Sequence, residues 1–125
     1  MRKYNKDDHD KIEQMLLKED LVKEEMRFEK DNTYINDVGF FTYSIKHNYP
    51  FLQHFCVERE KRSVKNAIAL YKDFKKQILS EGYNGFIFEV TSRKKYLSKI
   101  AQWLCKRQPY ATINNSEYYL VGIGG

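Results

Sequence analysis

Four cations stand close together in one short stretch: Arg59, Lys61, Arg62 and Lys65. A phosphate is the simplest ligand for such a cluster when backbone N–H groups converge on the same point. The flanking residues predict that they do. The run from Phe51 to Val57 is rich in aromatic and β-branched residues and follows Pro50, which predicts a strand. Ala67, Ile68, Leu70, Tyr71, Phe74, Ile78 and Leu79 then recur at helical spacing. Gly82 stands where a left-handed residue closes a helix. The run from Phe86 to Val90 predicts the next strand. A helix that begins directly after a strand presents free N–H groups and a positive dipole end. The competing expectation is an ordinary basic helix start with no ligand. Lysine and arginine in a first turn oppose the dipole, so a bound anion would relieve that cost.

Other side chains carry the potential for proton transfer. Glu58 and Glu60 directly follow the central strand, His54 lies within it, and Glu89 lies on the neighbouring strand. These are candidate bases. Cys105, Tyr96 and Tyr110 are candidate acids. Each has a structural alternative. Glu58 and Glu60 can be solvated partners of Arg59 and Lys61, His54 a packed strand histidine, and Cys105 a core residue, as free cysteine usually is. His54 and Cys56 share one side of a strand, but neither an oxyanion loop nor an orienting acid accompanies them. A cysteine nucleophile is therefore not expected. A second basic cluster, Arg93, Lys94, Lys95 and Lys99, is interleaved with Tyr96 and followed by Trp103. Such clusters can track nucleic-acid phosphates or form a solvated helix face. No nucleic-acid-binding motif accompanies it, so nucleic acid ranks below a small phosphorylated ligand as partner.

These side chains need elements to hold them. With 125 residues, 42% of them hydrophobic, the chain is long enough for a single core. Its net charge of +5 implies an anionic partner or a basic surface that serves solubility. Cys56 and Cys105 form neither a disulfide framework nor a zinc pattern, which predicts a reducing, intracellular compartment. Met1 to Asp10 is polar and is no signal peptide, and no apolar run reaches membrane-spanning length, so no membrane insertion is expected. Met1 to Asn5 is expected as an edge strand. Asp7 or Asp8 then caps a helix with Ile12, Met15, Leu16 and Leu17 as its stripe. Asp20 caps a second helix through Phe28. Asn32 to Asn36 is a weak strand, Asp37-Val38-Gly39 a turn, and Phe40 to Ile45 a strong strand. Lys46 to Tyr49 is a connection. Beyond Val90, Tyr96, Ile100, Trp103 and Leu104 predict a helix from Ser92 to about Lys106, stopped by Pro109. Tyr110 to Ile113 and Tyr118 to Val121 are strands joined by an Asn114-Asn115-Ser116 turn, and Gly122 to Gly125 is a tail. An antiparallel meander followed by a strand–helix–strand crossover requires at least one parallel pair. The expected fold class is α/β of the α+β kind: a mixed, mostly antiparallel sheet flanked by helices.

This order, together with the crossover residues, resembles the GNAT superfamily of acyl-CoA-dependent N-acetyltransferases over nearly the whole chain. Arg2-Lys3-Tyr4-Asn5-Lys6-Asp7-Asp8 and the helix after it look like the family's first strand and helix. Gly39-Phe40-Phe41 looks like the start of its third strand. Arg62-Ser63-Val64-Lys65-Asn66-Ala67 is similar to its pyrophosphate loop, Arg/Gln-x-x-Gly-x-Gly/Ala. Leu104-Cys105-Lys106-Arg107-Gln108-Pro109-Tyr110 is similar to its Leu-Tyr-x-x-x-Gly-Phe. The resemblance implies one GNAT-like domain. Residues 1–50 would form the strand, two helices and hairpin, 51–90 the cofactor core, and 91–125 the last helix and hairpin. It implies acetyl-CoA as cofactor and an amine of unspecified identity as acceptor. The pantetheine arm would pair with main chain near Phe55 and Val57. The pyrophosphate would meet Arg62, Ser63, Val64, Lys65, Asn66 and Ala67. Glu58 would be the base and Cys105 the acid. Three positions depart from the family pattern: Lys65 replaces a Gly, Cys105 replaces a Tyr, and Pro109-Tyr110 replaces Gly-Phe. Those departures support a second expectation, a catalytically inactive GNAT-like domain with protein assembly partners, such as a phage virion component. The chain would then reside in the virion rather than the cytoplasm. Its richness in Lys, Asn, Ile and Tyr suits an AT-rich phage or bacterial genome.

Overall fold

The computed structural model describes residues 1–19, 30–90, 111–114 and 116–123. The expected helices at Asp20 to Phe28 and Ser92 to Lys106 lie outside these residues, as do Cys105, Tyr96, Tyr110 and the Arg93–Lys99 basic cluster. Among the described residues seven strands form one sheet: β1 (Arg2–Lys3), β2 (Thr33–Ile35), β3 (Gly39–Lys46), β4 (Tyr49–Val57), β5 (Gly85–Val90), β6 (Ala111–Ile113) and β7 (Ser116–Gly122). Their order across the sheet is β1-β2-β3-β4-β5-β7-β6. Every neighbouring pair is antiparallel except β4 and β5, which are parallel and joined by helix α2 (Val64–Ser80). The fold is thus a mixed α/β arrangement on a mostly antiparallel sheet, as the sequence leads one to expect.

Adjacent residues on a strand face opposite sides, and β3 shows what each side meets. Phe40 packs with Ile12, Met15 and Leu16 of α1 (His9–Leu17). Phe41 and Tyr43 pack with Leu70, Phe74 and Ile78 of α2. The two helices therefore cover opposite faces, and β3 is buried on both along Gly39–Tyr43. That explains why it reads as a continuous apolar run rather than an alternating one. Phe74 is fully buried between Phe41 and Phe86, with ring centroids 5.2 and 4.8 Å away, both edge-on. Burial of such a side chain contributes about 1.5–3 kcal/mol.

Three local expectations need correction. Asn5 caps the 3-10 turn that precedes α1: its side chain accepts the Asp7 N–H at 2.8 Å, and Asp8 accepts the Asn5 N–H at 2.9 Å, while Asp8 stands at the N-cap of α1 without a side-chain capping bond there. Asp8 is instead buried and holds Arg2 through both carboxylate oxygens, which pins the β1 edge to α1. Leu17 is outside the apolar stripe and 60% exposed. The connection before Pro50 shrinks to His47-Asn48. Both residues have positive φ (53° and 63°), the pattern of a type I′ hairpin turn. Its twist lets β3 and β4 pair out to Lys46 and Tyr49, with Pro50 inside the strand opposite Ile45. Gly82 closes α2 with φ of +92°, where a side chain would be strained.

Candidate functional site

The parallel ladder between β4 and β5 is short. Phe51 pairs with Ile87 and Leu52 with Phe88, and there the pairing ends. Both strands nevertheless continue. On its other edge β4 stays paired to β3 as far as Val57 opposite Gly39. On its other edge β5 stays paired to β7 as far as Val90 opposite Glu117. The register of β3 against β4 jumps at the same level, from Thr42 opposite His54 to Tyr43 opposite Leu52. Gln53 is the extra residue, a β-bulge. A bulge bends its strand and increases the local twist. β4 thus changes direction where its pairing to β5 stops, and the main chain from Gln53 to Val57 has no ladder partner on β5.

Gly39 sets how closely β3 follows this end of β4. A Cβ there would lie 2.0 Å from the Cys56 carbonyl oxygen, so no other residue fits without displacing backbone. Phe55 and Val57 turn their side chains toward α2, and Cys56 turns toward α1. The chain leaves β4 through the Glu58 N–H, which donates to the Val38 carbonyl at 2.8 Å. It makes one tight turn at Arg59–Lys61 and enters α2 through Ser63. The Ser63 hydroxyl accepts the Asn66 N–H at 3.1 Å, and the Asn66 side chain donates to the Lys61 carbonyl at 2.6 Å. Among the described residues, the N–H groups of Val64 and Lys65 make no hydrogen bond within the protein. Two donors and the positive end of a seventeen-residue helix thus follow, within one turn of chain, the end of β4 that β5 leaves unpaired.

The loop cations are not pooled there, as the sequence suggests. Arg59 donates to the Lys18 carbonyl at 2.6 Å, and Lys61 to the Asp37 carbonyl at 2.8 Å with Glu58 at 3.3 Å. Arg62 donates through Nε to the Val57 carbonyl at 3.1 Å and through its other end pairs with Glu19. Of the four, Lys65 alone is exposed and without a polar partner among the described residues. The reason is geometric: a tight turn places successive side chains around its rim, within reach of the Lys18 carbonyl and Glu19 carboxylate just after α1 and of the Asp37 carbonyl.

Glu58 is half-buried and lines a cavity of about 270 Å³ between α1 and the end of β4, with Met15, Lys18, Glu19, Cys56 and Arg59 on its walls. Glu60 bridges to Lys18 at 3.1 Å. Its own backbone N–H and then Lys18 hold its carboxyl below the usual carboxylate range. Glu89 accepts the Tyr118 hydroxyl at 3.3 Å, while partial burial and that carboxylate push the phenol up. His54 faces Phe40 at 6.4 Å between ring centroids. The Cys56 thiol lies 3.7 Å from Glu19. Glu19 and the Gln53 bulge are the features that sequence reading misses. Glu19 is 43 residues from Arg62 and falls at the end of a helix, where no spacing rule links them. No Gly marks the bulge.

Comparison of the chain with protein-family models, with curated proteins and with solved structures gave no significant match. No described helix is long and apolar enough to cross a membrane.

Proposed function

We propose that this chain binds an acyl-CoA between β4 and β5 and moves its acyl group to an amine, in the manner of the GNAT enzymes it resembles. The observation that carries the proposal is the ladder ending at Leu52 and Phe88 while both strands run on. Main-chain groups left without a strand partner suit an extended, amide-bearing ligand such as pantetheine. The pyrophosphate would accept from the Val64 and Lys65 N–H groups, with Ser63, Asn66 and Ala67 shaping the turn and Lys65 adding charge. Arg62 would join by exchanging Glu19 for phosphate. In the reaction the amine nitrogen attacks the thioester carbonyl, the C–S bond breaks, one proton leaves the nitrogen and the thiolate takes a proton. Glu58 at the end of β4 is the base in this scheme and Cys105 the donor to sulfur. Positioning of the thioester and amine supplies much of the acceleration.

A second reading has its own support. Arg59, Lys61 and Arg62 are already engaged inside the protein, and Lys65 stands where the family places a Gly. Those facts favour an inactive relative that binds a protein partner, in a virion or in the cytoplasm. Calorimetric titration with acetyl-CoA separates the two readings. Val64 is 65% exposed at the first position of α2. Val64→Asp complements the helix dipole, adding about 0.3–1 kcal/mol of stability to the free protein, while it repels pyrophosphate. The enzyme reading expects binding by the wild type, loss of at least tenfold in affinity in Val64→Asp, and thiol release with some amine in a panel. Absence of binding at millimolar acetyl-CoA would favour the second reading.

A further inference from the structure

The outer face of α2 carries a row of lysines that the fold leaves uncompensated. Lys65, Lys72 and Lys76 are seven and four residues apart, so they lie along one side of the helix. At 1.5 Å per residue the row is about 16 Å long. All three are exposed, and none has an ion pair or hydrogen bond among the described residues. By contrast, Arg2 pairs with Asp8, Lys18 with Glu60, Lys61 with Glu58 and Arg62 with Glu19. The single carboxylate of α2, Asp73, accepts from Asn36 at 2.9 Å. Glu81 at its end accepts from Tyr43 and Gln77. Lys75, beside the row, lies 5.5 Å over the Tyr71 ring.

From this row we infer that α2 docks a nucleic-acid backbone, its lysines each neutralising a phosphate. The inference shares only Lys65 with the acyl-CoA reading, since Lys72 and Lys76 lie two and three turns beyond the α2 N-terminus. A linear polyanion with evenly spaced charges matches a linear row of flexible point charges. A lipid surface matches less well. The exposed aliphatic side chains of α2 are Val64, Ile68 and Leu79, spread over its whole length, too little apolar area for insertion. The sequence points to different places, the Arg59–Lys65 loop and the Arg93–Lys99 cluster; three of the four loop cations are engaged by protein carbonyls and carboxylates, and the second cluster lies outside the described residues.

The test is fluorescence anisotropy with a labelled twenty-nucleotide DNA, single-stranded and duplex, across a salt series. Log affinity should fall with log salt. The slope should lessen by about 1 for each of Lys65→Gln, Lys72→Gln and Lys76→Gln. Because these positions are exposed, the triple variant should keep the wild-type melting temperature. Lys72→Gln/Lys76→Gln should leave acetyl-CoA affinity unchanged. An unaltered salt slope in the triple variant would overturn the inference. So would absence of binding at low salt, or binding to phosphatidylserine vesicles without binding to DNA.

Discussion

Arg62 meets two competing demands. It anchors the loop by bonding the last carbonyl of β4 and Glu19, and it directly precedes Ser63, the N-cap of α2. An anion arriving there must displace Glu19. Glu19→Gln weakens the existing partner while keeping its shape, so acetyl-CoA affinity should rise several-fold, at some cost to the stability of the free protein. Calorimetry on the two proteins checks this, and equal affinities would show that the pair does not compete with ligand. Asp8 presents a second residue-scale consequence. The Arg2 guanidinium, aided by the Asn5 N–H, holds its carboxyl below the ordinary range. A depressed carboxyl stabilises the fold fully above the unfolded value near 3.9, and that contribution is lost as pH falls through the lower folded value. The stability advantage of wild type over Asp8→Asn, measured in urea, should therefore hold at pH 7 and shrink below about pH 4. At this scale the sequence was half legible. Ser63, Val64 and Lys65 stand where the strand–helix pattern places them, because that pattern is local. The partners of Arg59, Lys61 and Arg62 were not legible, because Lys18, Asp37 and Glu19 approach only through the tertiary fold.

The elements that frame the site are β3, β4, β5 and α2, and each is identifiable from its apolar pattern. β3 was legible because a strand covered on both faces is apolar throughout. α2 was legible because Leu70, Phe74 and Ile78 repeat every four residues and are completely buried. Its partial stripe was overread: Ile68 and Leu79 are 39% and 44% exposed. The short β4–β5 ladder was not legible from pattern, since the bulge adds Gln53 without a Gly or Pro to announce it. What holds β4 in its bent course is the approach of Gly39 to Cys56. Gly39→Ala forces a methyl into the Cys56 carbonyl, and overpacking of this kind costs about 1–3 kcal/mol. Denaturant unfolding should show that loss, and acetyl-CoA affinity should fall with it, because the end of β4 would shift. A variant as stable as wild type would mean that β3 and β4 can slide apart freely.

At the scale of the molecule, α1 and α2 divide the work among the described residues. α1, tied to the sheet edge by Arg2 and Asp8, walls the cavity that contains Glu58. α2 closes the main core, and its N-terminus follows the unpaired end of β4. Among the described residues the positive charge is distributed rather than concentrated: most loop cations brace the structure, and the α2 lysines are exposed. Composition predicts the sign of that charge but not its placement, which depends on which carboxylates the fold brings near. The central claim is that the unpaired end of β4 and the start of α2 receive an acyl-CoA together. Hydrogen–deuterium exchange with and without acetyl-CoA tests it most directly. The account predicts that exchange slows for amides of Gln53 to Val57 and of Val64 and Lys65, with little change along β2. Unchanged exchange in both segments at saturating acetyl-CoA, or protection confined to another part of the sheet, would contradict it.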